Sequence, residues 1–279
     1  MRVVMPLFDF KHSTTAQFRD FAFSDGQLSL RRFDHREHRI DSRIFSKWDR
    51  SCIHQERHAL VAEASTLDED SYKQDVNLLL MAFRILGDGI TPTIMYRLYE
   101  DPDLCVRLDG TESHILLPDT RWQVYSPADF PKIDDAFTML RDARRNSPRL
   151  KNAFWFLYKA SYSVHWIDSF LFHMNALEAL FSLDDKRSAT KAIKCRTSRL
   201  ISDPADPTKW DEATIGALYE TRSAIAHGRI VASSNATENL QLAKKMERVT
   251  KLCFRKLIEL DAFRHFSTEA SRAKLLGPV

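Results

Sequence analysis

The sequence predicts a mainly α protein: a small α+β N-terminal domain followed by a helical bundle. Three observations carry that expectation. The 279 residues include only 7 Gly but 18 Phe, a balance suited to long, well-packed helices. Beyond residue 130, apolar residues recur three and four positions apart with few interruptions. Before residue 125 they fall instead into short runs broken by Gly, Asp and Pro.

Length and composition bound the function classes. A chain of 279 residues buries a sizeable core and has room for one or two domains. The net charge of +3 permits nucleic-acid binding without demanding it. Cys52, Cys105, Cys195 and Cys253 are scattered, with no C-x-x-C pair, so free thiols in a reducing cytoplasm are expected and a zinc knuckle is not. No apolar run approaches the ~20 residues of a membrane span, and the first ten residues lack the apolar core of a signal peptide. The expectation is a cytoplasmic protein with no membrane partner.

The N-terminal domain is expected over residues 1–125. Val3 to Phe10 reads as a strand. Phe18 to Phe23 and Gln27 to Phe33 flank Ser24-Asp25-Gly26, an Asp-Gly turn that predicts a hairpin. Asp70 to Leu86 is helical by its stripe of Val76, Leu79, Leu80 and Phe83, and Gly87-Asp88-Gly89 ends it. Ile90 to Tyr99, Cys105 to Leu108, His114 to Leu117 and Trp122 to Tyr125 read as short strands. Ser126 to Pro131 is the expected linker. Four histidines stand out: His35 and His38, three apart, and His54 and His58, four apart, the spacing that puts two imidazoles on one helix face. Solvated surface histidines are the favoured reading, and no metal site is expected; a metal-dependent hydrolase built on these four is the competing one.

Residues 130–265 are expected to form the bundle, with 266–279 a loosely held tail. Ile133 to Asn146 is an amphipathic helix, and Pro148 opens the next, whose inner face is Phe154, Leu157, Tyr158 and Ser161. Trp166 to Leu183 follows, with Glu178 inside the stripe of Ile167, Phe170, Leu171, Met174, Leu177 and Phe181. Arg196 is in phase with Ala189, Ile193 and Leu200. The stretch Leu218 to Gly228, LYETRSAIAHG, looks like the helix around which the others are built. Thr208 or Asp211 caps its start, and Ile215, Leu218, Tyr219, Ile225 and Ala226 make its apolar stripe. Arg222 lies within that stripe, where a guanidinium needs a partner or a ligand. Gly228 is the natural residue to end the helix, which puts His227 at the negative end of its dipole. Pairing Glu178 with Arg196 or with Arg222 would resolve the buried-facing charges. A polar loop, Val231 to Ala236, leads to a long helix, Thr237 to Asp261.

Arg222, four residues and His227 resemble the R-x4–6-H motif of HEPN domains, and most closely their Apea-like branch. Asn175 to Phe181, NALEALF, is similar to that branch's ALEALF-type helix, and Lys194 to Ile201, KCRTSRLI, to its basic helix. Directly after the Arg, where the family often has Asn, Asp or His, stands Ser223, which is compatible with the Apea-like branch.

The resemblance implies a HEPN-type bundle that forms a homodimer through the Arg222–His227 region, and active members are metal-independent endoribonucleases. It implies an RNA substrate, no cofactor, His227 as general acid or base, and Arg222 on the phosphate. Glu178, Ser223 and Arg196 would be supporting residues, and Arg196 and Arg199 could line an RNA path. A toxin or antiphage-defence effector follows as the biological role, with an antitoxin or regulatory protein as a further partner and the N-terminal domain sensing a trigger or selecting the target. The alternative is a non-catalytic HEPN module for dimerisation and for binding RNA, a nucleotide or a protein, in which Glu178 sequesters Arg222.

Overall fold

The computed structural model describes residues 2–12, 19–24, 26–37, 45–63, 69–99, 106–107, 121–163, 165–183, 189–203, 208–228 and 236–277. The chain is mainly helical, with one small sheet region. It divides into two units: Met1–Glu112 with Thr120–Thr138, and Ser113–Asp119 with Met139–Val279. The division falls inside a helix, α3 (Asp129–Asn146), which starts within the stretch expected as a linker. The strand expected at His114 to Leu117, most of the polar loop after Gly228, His38 and Cys105 lie outside the described residues. No helix among the described residues is long and apolar enough to cross a membrane.

The first unit is built on a sheet. Its strands are β1 (Arg2–Phe8), β3 (Phe21–Ala22), β4 (Leu28–Arg32), β5 (His58–Glu63), β6 (Thr93–Ile94), β7 (Tyr96–Tyr99) and β8 (Val106–Arg107), in the order β3-β4-β5-β1-β7-β8 with β6 also on β1. Neighbours pair antiparallel: Val4 faces Val61 on one side of β1 and Leu98 on the other. The expected hairpin is present as β3–β4, with Gly26 at φ 68° in its turn. Two further short strands, β2 (Lys11–His12) and β9 (Val124–Tyr125), pair parallel.

Both faces of β1 and β5 are buried, which is why their sequences are continuous apolar runs. On one face Val4, Phe8, Ala59, Val61, Tyr96 and Leu98 form a cluster with Ile53 of α1 (Lys47–Gln55). On the other, α2 (Glu69–Leu86) meets β7 where the Tyr72 and Tyr99 hydroxyls lie 2.8 Å apart. Phe10 stacks on Tyr125 and Phe130, and Phe83 packs edge-on to Phe10.

One carboxylate ties α1 to the sheet. Asp49 is 3% exposed. Its Oδ2 accepts from the Ser46 backbone N–H at 3.0 Å and the Ser46 hydroxyl at 2.6 Å, closing a capping box, while its Oδ1 accepts from the Tyr96 hydroxyl at 2.5 Å. A buried carboxylate is tolerable only with such a set of donors.

His54 and His58 do not share a helix face. α1 ends at Gln55, so His54 closes the helix while His58 opens β5. The chain turns to extended backbone at Glu56, and the four-residue spacing loses its helical meaning. His54 meets His35 instead, ring centroids 4.3 Å apart, and His58 packs against Phe10. Among the described residues no group of three or more His, Cys, Asp or Glu is placed to hold a metal ion.

The second unit contains α4 (Pro148–Tyr162), α5 (Trp166–Phe181), α6 (Ala189–Ile201), α7 (Glu212–Ala226), α8 (Ala236–Glu259) and α9 (Glu269–Leu276). Pro148 opens α4, as the sequence predicts, and Ser147 caps it. The hub is α5 rather than α7: α5 packs on α4, α6, α7 and α8, and buries Phe170, Met174, Leu177, Leu180 and Phe181. The residues expected as a loose tail are held. Ala262–Phe266 forms a 3₁₀ turn whose Phe263 packs on Phe154 of α4 and Phe254 of α8, and α9 buries Arg272 and Leu276.

Two stability tests follow for the first unit. Asp49→Ala removes the acceptor of three hydrogen bonds and is expected to lower unfolding free energy by about 2–4 kcal/mol, read from urea unfolding. The second concerns pH. Burial, then His12 and Arg32, push the His58 imidazole down to about 4. Burial, then Asp9, push the Glu56 carboxyl up to about 7 against Lys11 and Arg57. Folding therefore strips a proton from His58 and adds stability as pH rises from about 4 to the ordinary 6.5. Folding delivers a proton to Glu56 and removes stability as pH rises from the ordinary 4.5 to about 7. The two slopes oppose each other. Relative to wild type, His58→Gln should make stability fall more steeply with rising pH, and Glu56→Gln should tilt it the other way, in urea midpoints across that window.

Candidate functional site

The site is built at the carboxyl ends of α5 and α7. Asp211 caps α7, accepting from the Thr214 N–H at 2.8 Å, and Glu212 sits in the first turn, where the helix dipole favours an anion. This resolves the choice between Thr208 and Asp211. Ile215, Gly216, Leu218 and Tyr219 are the buried residues of α7. The apolar stripe ends there: Ile225 is only half-buried, and Ala226 is exposed. At the far end the His227 N–H donates to the Ser223 carbonyl and the Gly228 N–H to the Ile225 carbonyl, both at 3.0 Å. Gly228 has φ 65°, and a Cβ there would meet nothing within 4 Å. Its backbone conformation, not space, calls for glycine.

Arg222 and Glu178 are brought together. Arg222 Nη2 lies 3.4 Å from Glu178 Oε1, with side-chain exposures of 38% and 32%. Both charges face the core by phase yet reach water, so neither is sequestered. His227 is exposed, one residue before the left-handed turn, and Ser223 is exposed beside Arg222. Arg222 and His227 therefore flank the last turn and a half of one helix. Arg222 is anchored by a carboxylate and His227 is open to solvent.

Arg196 does a different job. It is 3% exposed, and its Nη1 donates to the Phe181 carbonyl at 2.6 Å. Arg149 Nη1 donates to the Ser182 carbonyl at 3.1 Å and to the Ser182 hydroxyl at 2.9 Å. That hydroxyl donates in turn to the Glu178 carbonyl at 2.7 Å. Two guanidiniums thus satisfy the carbonyl end of α5, where the dipole favours cations. Arg196 holds the helix that carries Glu178, and its burial keeps it from lining a surface path. Arg199 is exposed and donates to Leu276 O and to Cys195 Sγ, each at 3.3 Å. Cys52, Cys195 and Cys253 form no disulfide, and burial pushes the Cys253 thiol up from its ordinary value.

Sequence reasoning missed two members of this neighbourhood. Tyr219 reads as one more apolar stripe residue, yet its hydroxyl is buried and within the field of both charges of the ion pair. The signal was its place three residues before Arg222, on the same helix face. Lys194 crosses α7 at Gly216, where a Cβ would come within 3.0 Å of its Nζ. Nothing in the basic run of α6 singles Lys194 out.

The half-exposed pair and the buried guanidinium should differ in what they hold. Glu178→Gln is expected to change the stability of the second unit by less than about 1 kcal/mol. Arg196→Met leaves a helix-end carbonyl without its charged donor and should cost roughly 2–3 kcal/mol, both read from urea unfolding. Comparison of the chain with protein-family models, curated proteins and solved structures found no match.

Proposed function

We propose that this chain is a metal-independent endoribonuclease of the HEPN type, with Arg222 binding the scissile phosphate and His227 as general acid or base. The observation that carries this reading is the end of α7. A permanently charged guanidinium is held in place yet 38% exposed, and an open histidine follows it at the helix terminus.

RNA brings its own nucleophile, so such a pair is sufficient chemistry. The 2′-hydroxyl attacks the adjacent phosphorus as its proton passes to an imidazole. The bond to the 5′-oxygen breaks, and a second, protonated imidazole gives that oxygen a proton. Arg222 stabilises the charge that builds on the phosphoryl oxygens. The products are a 2′,3′-cyclic phosphate and a 5′-hydroxyl. A homodimer joining two α7 ends would supply both imidazoles, one as base and one as acid. The open Ile225–Ala226 end of α7 favours such a contact. By the resemblance of its motifs the protein would act as a toxin or antiphage-defence effector in the cytoplasm, regulated by an antitoxin or other protein. The N-terminal unit would then sense the trigger or select the RNA.

The 3.4 Å contact between Arg222 and Glu178 favours a second reading, a non-catalytic HEPN module whose arginine is structural and which binds RNA, a nucleotide or a protein. The experiment that separates them is RNA cleavage by the purified protein in excess EDTA. Wild type should leave cyclic-phosphate ends, and folded Arg222→Ala and His227→Ala should each be slower by about 10²–10⁴-fold. Cleavage that persists unchanged in the His227→Ala protein sinks the mechanism, and cleavage that needs metal returns attention to the N-terminal histidines.

A further inference from the structure

Tyr219 is 5% exposed, and its hydroxyl has no hydrogen-bond partner among the described residues. Buried hydroxyls are nearly always paired, so an orphan asks for an explanation. Two charges act on this one. Arg222 is three residues on, on the same face of α7. Burial first, and then the Glu178 carboxylate, push the phenol up from its ordinary value, while the Arg222 guanidinium acts in the opposite sense. The hydroxyl thus lies in the field of both members of the ion pair and is bonded to neither.

The geometry points to a hand-over: when a phosphate takes Arg222, the Tyr219 hydroxyl donates to the Glu178 carboxylate that Arg222 has released. This rests on Arg222 being the phosphate-binding group of the proposed function. In the free protein Arg222 is engaged by Glu178 at 3.4 Å, so an incoming phosphate competes with a carboxylate. Once the guanidinium turns to the phosphate, Glu178 is a half-buried anion beside a second anion. A neutral donor three residues from Arg222, on the same face of α7, is what that state can draw on. The hydroxyl is idle in one state and used in the other. Tyr219 is therefore a positioning residue that acts through Glu178, and the Glu178–Arg222 contact sets the threshold for binding.

The test measures anisotropy of a fluorescein-labelled single-stranded 2′-deoxyoligonucleotide, which binds but has no 2′-hydroxyl to react. The proteins are full-length wild type, Arg222→Ala, Tyr219→Phe, Glu178→Gln and the Tyr219→Phe/Glu178→Gln double variant. Tyr219→Phe should keep or raise the melting temperature, because it deletes an unpaired hydroxyl, yet bind the probe about tenfold more weakly. Glu178→Gln should bind more tightly than wild type, and in that background Tyr219→Phe should change affinity by less than about twofold. A lowered melting temperature for Tyr219→Phe means that the hydroxyl is already bonded in the free protein and overturns the hand-over. Wild-type affinity in Tyr219→Phe, with Arg222→Ala weakened, overturns it while leaving the proposed function standing. A deficit that persists in the Glu178→Gln background also overturns it, since the hydroxyl then acts without the carboxylate. Equal binding by wild type and Arg222→Ala removes the phosphate role of Arg222 and both proposals with it.

Discussion

The carbonyl end of α5 is where the second unit is tied together. A helix terminus leaves four carbonyls without intrahelical partners, and burying them unsatisfied is costly. Here Arg196 from α6 and Arg149 from α4 reach the last carbonyls, and Ser182 bonds back to Glu178. One end of one helix thus fixes the position of two others. Because Glu178 sits three residues before Phe181, the same contacts fix the backbone that carries its carboxylate. The alignment of Arg222 on α7 depends on that carboxylate.

That chain of dependence explains why Arg222 is ambivalent. An exposed ion pair contributes on the order of 0–1 kcal/mol, so Glu178 orients the guanidinium without trapping it. A fully buried pair would have made Arg222 structural, and a lone exposed arginine would have been poorly placed for a phosphate. At 38% and 32% exposure the pair lies between those limits. The enzymatic and binding-module readings both start from this one contact.

Local signals were the legible part of the fold. Pro148 at the start of α4, the cap at Asp211, the turn at Gly228, the Asp-Gly hairpin and most helix limits follow from backbone requirements confined to a few residues. Phase arguments went less far. They placed Arg222 and Glu178 on inner faces but left open which charges would meet, because that depends on how helices cross. They also continued the α7 stripe through Ile225 and Ala226, where the supporting helices no longer cover it. The His54–His58 spacing failed because extended backbone at Glu56 overrides any periodicity across it. The tail looked loose because the Arg199 guanidinium that reaches the Leu276 carbonyl is remote from it in sequence. A hydroxyl at the rim of an apolar stripe, as in Tyr219, has no signature in periodicity.

α7 divides its labour along its length. Ile215, Gly216, Leu218 and Tyr219 in its first half carry the packing, while its second half presents the half-buried Arg222 and the exposed Ser223 and His227. Random substitution should therefore find the second half permissive for folding and the first half strict. A lineage can lose, retune or regain the polar end without passing through unfolded intermediates. Descendants of such a helix that differ at its polar end would keep the same scaffold.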